Sequence, residues 1–350
     1  VGTLAGTGPD ARSLVLNGHI DVVPVGDPDG WPASPWNDRL DGDVLRGRGT
    51  CDMKGGLVAG IAAIAALRRQ GIESPGRVVV QSVIGEETGG VGTLAAVLRG
   101  HTADAAVVLE PTSLHRCPVG AGAASFRLHV PGRAAHGAMR TEGVSAVEKF
   151  VPLFHAIEAF EAERHAAFHH PAYRDDVLVA PISVGRLTSG DWPSTVPESL
   201  VAEGRFGVLP GEDLDAARQA FEEAVAAAAD GDGWLHEHRP RVEWFEGQFA
   251  PALTPLDSPI VELVGSAHDQ VVDQPSPRHG VSYGSDLRFF ANDAAMPALL
   301  YGPGAVEVAH TTDEHVELGE VFAAAEVLAL TILAWGGGGP GPDAKRPGHS

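Results

Sequence analysis

The chain has 350 residues, and 25 Lys+Arg set against 46 Asp+Glu give it a formal charge of −21. That balance argues against nucleic-acid backbones and anionic membranes as partners. With 44% hydrophobic and 20% charged residues, the composition is that of a soluble globular chain long enough for about two domains.

Two cysteines, Cys51 and Cys117, make no disulfide framework, which fits a reducing cytoplasm. Cys51 is read as a small packing residue. No apolar run reaches the length of a membrane span and no signal peptide is visible. The chain opens at Val1, almost inside its first strand, and a preceding segment is expected.

Val1 to Leu4 and Ser13 to Leu16 read as strands joined by the Gly6–Asp10 turn. The second delivers Asn17-Gly18-His19-Ile20-Asp21 at its end, and a β conformation points His19 and Asp21 to one side. Gly26 to Asp43, with Trp31 and Trp36, is a long loop of the kind that borders sites. Gly47-Arg48-Gly49-Thr50-Cys51-Asp52-Met53-Lys54-Gly55-Gly56 then places one carboxylate in a glycine-flanked turn before an apolar helix, Leu57 to Gln70. Taken alone, Asp52 is best read as a helix N-cap.

It is not alone. Arg77 to Ile84 is a strand running into Gly85-Glu86-Glu87, and Ala105 to Leu109 is another, ending in Glu110-Pro111-Thr112. Open α/β sheets bind ligands at the carboxyl ends of their strands, where these acidic and imidazole groups fall. From about Val119 the order becomes strand (Ser125–Val130), helix (Val144–His165), strands (Leu178–Leu187, Leu200–Val208), helix (Asp213–Ala229) and strand (Arg241–Phe245). That is the split βαβ pattern of a small ferredoxin-like domain. The α/β part resumes near Pro251 with a helix over Ser258–Gln270, the Gly284-Ser285-Asp286-Leu287-Arg288 stretch and an Ala298–Tyr301 strand. Ala309-His310-Thr311-Thr312-Asp313-Glu314 and a last helix from Gly319 follow. The domains are therefore 1–118 and 249–335 (catalytic), 119–248 (inserted) and a disordered glycine- and proline-rich tail at 336–350.

These blocks resemble the M20 family of metallopeptidases, in its acetylornithine deacetylase/succinyl-diaminopimelate desuccinylase branch. The resemblance rests on Gly18-His19-Ile20-Asp21-Val22-Val23-Pro24, the Gly47–Gly56 block, Gly85-Glu86-Glu87, Glu110-Pro111-Thr112 and Ala309-His310, in that order along nearly the whole chain. It implies an α/β fold: a zinc-exopeptidase-like catalytic domain with a mixed sheet, interrupted by a ferredoxin-like α+β lid and dimerisation domain. It further implies that Asp52 bridges two Zn²⁺ ions, one also held by His19 and Glu110, the other by Glu87 and His310. Oxygen and nitrogen ligands suit zinc, with cobalt and manganese as alternatives. Glu86 is then the general base and Asp21 orients His19. His136, in Ala134-Ala135-His136-Gly137, matches a histidine that reaches the active site from a partner subunit, and Arg288 matches an arginine that binds substrate carboxylate.

The chain departs from the pattern in the substrate loop, Asp191-Trp192-Pro193-Ser194-Thr195-Val196-Pro197, where relatives carry an asparagine before Val-Pro. Ser194 and Thr195 are the substrate-binding candidates there. The function implied is a cytoplasmic, homodimeric di-zinc amidohydrolase that removes an N-acyl group from an amino acid. A dipeptidase or carboxypeptidase with the same site is the alternative. A catalytically inactive binding relative and a single closed structural metal site rank below both, because all six ligand and base positions are present.

Overall fold

The computed structural model describes residues 1–36 and 40–338, so most of the tail expected to be disordered lies outside the described residues. Gly336 is described, and it closes the last helix. The chain divides into two compact units. One is formed by residues 1–119, 252–280 and 285 onward, the other by 120–251 with 281–284.

The first unit is built on a mixed sheet. Its strands lie in the spatial order Gly2–Leu4, Val78–Val83, Leu14–His19, Ala105–Val108, Ala298–Leu300, Arg116–Gly120 and Ala252–Leu253, with Arg278–Val281 beside Arg116–Gly120. The four strands from Val78–Val83 to Ala298–Leu300 run parallel to one another, so their carboxyl ends share one edge. Leu14–His19 is buried at every position, as a central strand covered on both faces must be. Gly2–Leu4 does not form a hairpin with Leu14–His19, contrary to the sequence reading. It pairs antiparallel with Val78–Val83, which lies between the two.

The helix Gly55–Arg69 lies against this sheet so closely that a Cβ on Gly56 would meet the Leu109 carbonyl oxygen at 1.9 Å. Only glycine permits that approach, and it sets the start of the helix against the strand end that carries Glu110. The helix also packs on Leu318–Gly336, which in turn packs on Pro259–Val271. Contrary to the sequence expectation, two helical segments, Thr50–Arg69 and Leu318–Gly336, are long and apolar enough to cross a membrane by length and composition. Much of that apolar surface is used inside the unit, through Leu57, Ala63, Leu67, Val327, Leu328 and Ile332.

A helix at Val91–Leu98 escaped the sequence reading. It is short and mostly apolar, follows Gly89-Gly90, and shows neither a polar cap nor a polar face. A second small sheet pairs His315–Glu317 with Val44–Arg46 and Val44–Arg46 with Leu40–Asp41, all antiparallel. Its strands are two or three residues long, below what periodicity can detect.

The second unit has a four-stranded antiparallel sheet in the order Ile182–Ser189, Ser199–Val208, Gly122–Pro131, Arg241–Phe249. Gly122–Pro131 alternates buried and half-buried residues along its whole length, the period-two signature of a strand with one face on a core. That core joins Phe126, Leu128 and Phe206 to Leu153 and Ile157 of the helix Ala146–Ala167 and to Phe221 and Val225 of the helix Leu214–Asp230.

Candidate metal centre

Three neighbouring parallel strands deliver side chains to the same sheet edge. His19 ends Leu14–His19, Glu86 and Glu87 follow Val78–Val83, and Glu110 follows Ala105–Val108. The loop after the fourth strand, Ala298–Leu300, carries His310, which adopts a left-handed backbone with φ 61°. Such a conformation is uncommon for a residue with a side chain and is often found at functional sites.

Asp52 enters from a kinked turn, Thr50–Lys54, ahead of the long helix, and the peptide between Asp52 and Met53 is cis. Its own backbone is extended (φ −114°, ψ 98°), and Lys54 occupies the cap position of the helix. Asp52 is therefore not a helix N-cap. Its carboxylate stands between two imidazoles, with Oδ1 3.1 Å from His19 Nε2 and Oδ2 3.3 Å from His310 Nε2. His310 Nε2 is also 3.2 Å from Glu87 Oε2. Ligating atoms of His19, Asp52 and Glu87 lie within 4.8 Å of one another, as do those of His19, Glu86 and Glu110. The five predicted metal ligands and the predicted base thus form one cluster, and Glu86 sits within ligating reach.

The donor chemistry fits cations. His19 Nδ1 lies 2.9 Å from the Asp21 backbone carbonyl, a contact that places the ring proton there and leaves a lone pair on Nε2 facing the Asp52 carboxylate. Two acceptors face each other unless a proton or a metal lies between them. With protons alone, burial opposes charge on His19, but Asp52 and Glu110 outweigh it and push its pKa up to about 11. Asp52 and then Glu87 raise His310 to about 10. Asp52 itself is buried, yet its two histidine partners hold its carboxyl below the usual range. Burial, and then the negative charges around them, push Glu86 and Glu110 well up. Among the described residues, Glu87 Oε1 and Asp21 Oδ1 are buried with no hydrogen-bond partner. A nest of carboxylates with two imidazoles and unmet lone pairs is what divalent cations would satisfy.

Asp21 orients His19 differently from the expectation. The strand stops at His19 and the chain turns, so the close contact is to the Asp21 carbonyl, while the Asp21 carboxylate lies 3.7 Å away and accepts the Glu87 N–H. Arg288 is not presented to solvent. It is 5% exposed, its Nη2 donates to the Gly89 carbonyl at 2.7 Å, and its guanidinium lies 4.4 Å from the Phe289 ring centroid. Cys51 is buried and its thiol pushed up by burial and by nearby Asp52, in keeping with a packing role.

Within the second unit, Ala135–His136 pairs antiparallel with Thr195–Val196, setting His136 opposite Thr195. Gly137 N–H donates to the Ser194 carbonyl at 2.6 Å, so the three candidates His136, Ser194 and Thr195 are neighbours, and all three are exposed.

Two residues near the cluster received no role from the sequence. Asp286 is 1% exposed, its Oδ2 accepts the Thr93 hydroxyl, and among the described residues its Oδ1 has no hydrogen-bond partner. Glu314 is fully buried and reaches the Asp52 turn. It stands in a Thr-Thr-Asp-Glu run that reads as a solvated loop, and no local signal marks it.

Residues 15–334 match the Peptidase family M20/M25/M40 profile. The chain belongs to this family. It is 30% identical to the N-formyl-4-amino-5-aminomethyl-2-methylpyrimidine deformylase of Halalkalibacterium halodurans, over 96% of this chain and 82% of that protein. It is 26% identical to the acetylornithine deacetylase of Edwardsiella ictaluri, over 94% of this chain and 82% of that enzyme. An M20 family metallo-carboxypeptidase from Sulfolobus solfataricus shares the fold, with a TM-score of 0.77 at 15% identity over 95% of this chain and 87% of that one.

Proposed function

We propose that this M20 chain is a metal-dependent N-deacylase that hydrolyses the amide between a small acyl group and an amine. The observation that carries the reading is Asp52, whose two oxygens address His19 and His310 separately, with Glu86 in the same cluster. His19, Asp52 and Glu110 would hold one Zn²⁺ and Asp52, Glu87 and His310 a second, with Co²⁺ or Mn²⁺ as substitutes. When bound, such ions acidify water and polarise an amide carbonyl.

The protein's own groups do the rest. Glu86 accepts a proton from the attacking water and returns it to the leaving amine nitrogen, so its carboxyl ends each turnover as it began. Asp21 fixes the His19 ring through its carbonyl. His136 donates to the oxyanion that develops on the acyl oxygen, supplied across a homodimer by the inserted unit acting as a ferredoxin-like lid and dimerisation domain; Ser194 and Thr195 border the substrate beside it. The compartment proposed is the cytoplasm.

For the substrate, N-acyl amino acids are the first reading, supported by the likeness to acetylornithine deacetylase. A second is supported by the 30% identity to a deformylase and by Arg288, whose guanidinium is engaged with Gly89 and Phe289. That engagement favours an amine lacking a carboxylate, such as an N-formyl aminomethylpyrimidine. Peptide cleavage is the alternative reaction at the same site. The test is hydrolysis by chelator-treated protein resupplied with zinc or cobalt. The panel would hold N-acetylornithine, N-succinyl-diaminopimelate, other N-acyl amino acids, the formylated aminopyrimidine and several dipeptides. Metal-restored release of one acyl group is expected; cleavage confined to dipeptides, or activity indifferent to metal, would sink the deacylase reading.

A further inference from the structure

Glu314 is an acidic side chain near the cluster that bonds to backbone N–H groups and to Arg48. Its carboxylate has 0% exposure and accepts three backbone N–H groups through Oε1, from Gly49 at 2.8 Å, Cys51 at 3.2 Å and Asp52 at 3.1 Å. N–H groups from one turn converging on one oxygen form an anion-binding concavity, and Gly49, at φ 81°, supplies its left-handed residue. A side chain at Gly49 would also meet Val22 at 2.6 Å, so this turn has little freedom to be rebuilt.

The other oxygen, Oε2, pairs with the Arg48 guanidinium, which is itself buried, lies 5.0 Å from the Trp31 ring centroid and reaches the Pro24 carbonyl. The pair is neutral as a whole, so it adds no net charge to the acidic cluster. What it contributes is geometry. Pairing of Val44–Arg46 with His315–Glu317 brings Glu314 beside Gly47, whose N–H donates to the Glu314 carbonyl at 3.0 Å. One residue thus ties the turn that carries Asp52 to the loop that carries His310.

We infer that Glu314 is a positioning residue: anchored by Arg48, its carboxylate holds the Gly49–Asp52 turn so that Asp52 meets His19 with one oxygen and His310 with the other. The inference rests on the metal-centre reading above, and no local pattern in the sequence indicates it. Because Asp52 is common to both proposed ion positions, releasing the turn weakens both. Glu314→Gln keeps the side chain's size but sets an amide N–H₂ against either the concavity or the guanidinium, since one amide oxygen cannot serve both.

The test is Co²⁺ titration of the chelator-treated full chain, followed by visible d–d absorption and by dialysis equilibrium, alongside thermal melts. Glu212→Gln is the control. It breaks a comparable cluster in the other unit, where Glu212 pairs with Arg164 and accepts the Leu209 N–H. The unaltered chain is expected to bind two equivalents. Glu314→Gln is expected to bind both roughly 10- to 100-fold more weakly, with an altered d–d spectrum, the range found when a partner behind a metal ligand is removed. Glu212→Gln should melt earlier yet bind Co²⁺ like the unaltered chain.

A folded Glu314→Gln variant with affinity within about threefold of the unaltered chain, whatever its melting temperature, overturns the positioning role. If that variant does not fold, Glu314→Asp decides. It keeps the charge for Arg48 but withdraws the carboxylate from the concavity by one methylene, and unchanged Co²⁺ binding overturns the inference equally. Absence of Co²⁺ binding by the unaltered chain overturns the metal centre itself, and so separates the two failures.

Discussion

Replacing Glu86 by Gln separates two roles that the geometry brings close together. Glu86 lies within 4.8 Å of His19 and Glu110 at their ligating atoms, so position alone allows it to be a ligand as well as a base. Glu86 is 7% exposed and lies among other acidic groups, so the amide keeps the side chain's size and removes its charge. Its proton affinity is raised by burial, then by Glu110 and Asp286. In metal-free protein the fold therefore keeps the Glu86 proton above the ordinary 4.5 at which the unfolded chain releases it. Stability from this group is complete below that pH and is lost as pH rises toward the folded value. Gln has no proton to lose, so at pH 7 the metal-free variant is expected to melt no earlier than the unaltered chain. Activity should behave differently. A positioned general base contributes about 10²- to 10⁴-fold, and at about 1.4 kcal/mol per factor of ten that is roughly 3–5 kcal/mol of barrier. The assay is kcat on the cleaved substrate, with metal content measured on the same sample. Full metal content with kcat down by that amount supports the base. A kcat within about tenfold of normal refutes it. Loss of metal together with activity makes Glu86 a ligand, and Asp52→Ala supplies the reference for what losing a bridging ligand looks like.

His136→Ala is expected to lower kcat about 10²- to 10³-fold, as loss of an oxyanion donor does, with metal content unchanged; an unaffected kcat would leave it a surface histidine. Phe221 is fully buried among Phe126, Phe206, Phe160 and Trp244. Phe221→Ala should cost about 3–5 kcal/mol in a denaturant melt, and a loss below about 1 kcal/mol would mean that this core is not tightly packed. Asp232 caps the Gly233–Glu237 turn through the N–H groups of Trp234 and Leu235, at 2.9 and 3.0 Å, and pairs with Lys149 at 2.7 Å. Burial works against its charge, but Lys149 and those N–H groups outweigh it and hold the carboxyl below the ordinary value of 3.8. Asp232→Ala should therefore cost about 1–2 kcal/mol at neutral pH. The difference should shrink as pH falls below 3.8 through the folded value. A difference unchanged well below that range would assign the effect to packing instead.

Much of this site can be read locally. His19, Glu86, Glu87 and Glu110 each follow a run of apolar, β-prone residues, and parallel strands put their carboxyl ends on one edge. Asp52 is marked by its glycines, although its local reading as a helix cap is displaced by the kink at Thr50–Lys54. Arg288 shows the limit of local reading. Its role as a carboxylate-binding arginine is implied by the family resemblance, and its burial against Gly89 depends on chain 199 residues away.

By itself the sequence determined which chemical groups are present and which strand ends carry them, because backbone periodicity and glycine turns act over a few residues. It did not contain the turn of the Asp21 carbonyl onto His19 or the reach of Glu314 into the Asp52 turn. Glu314 bonds to Gly49, 265 positions away, and such contacts exist only once the sheet and the small Val44–Arg46/His315–Glu317 pairing have closed. Long-range closure is decided by the burial of the whole core, and a short polar segment such as Thr311–Glu314 has no periodicity through which to announce it.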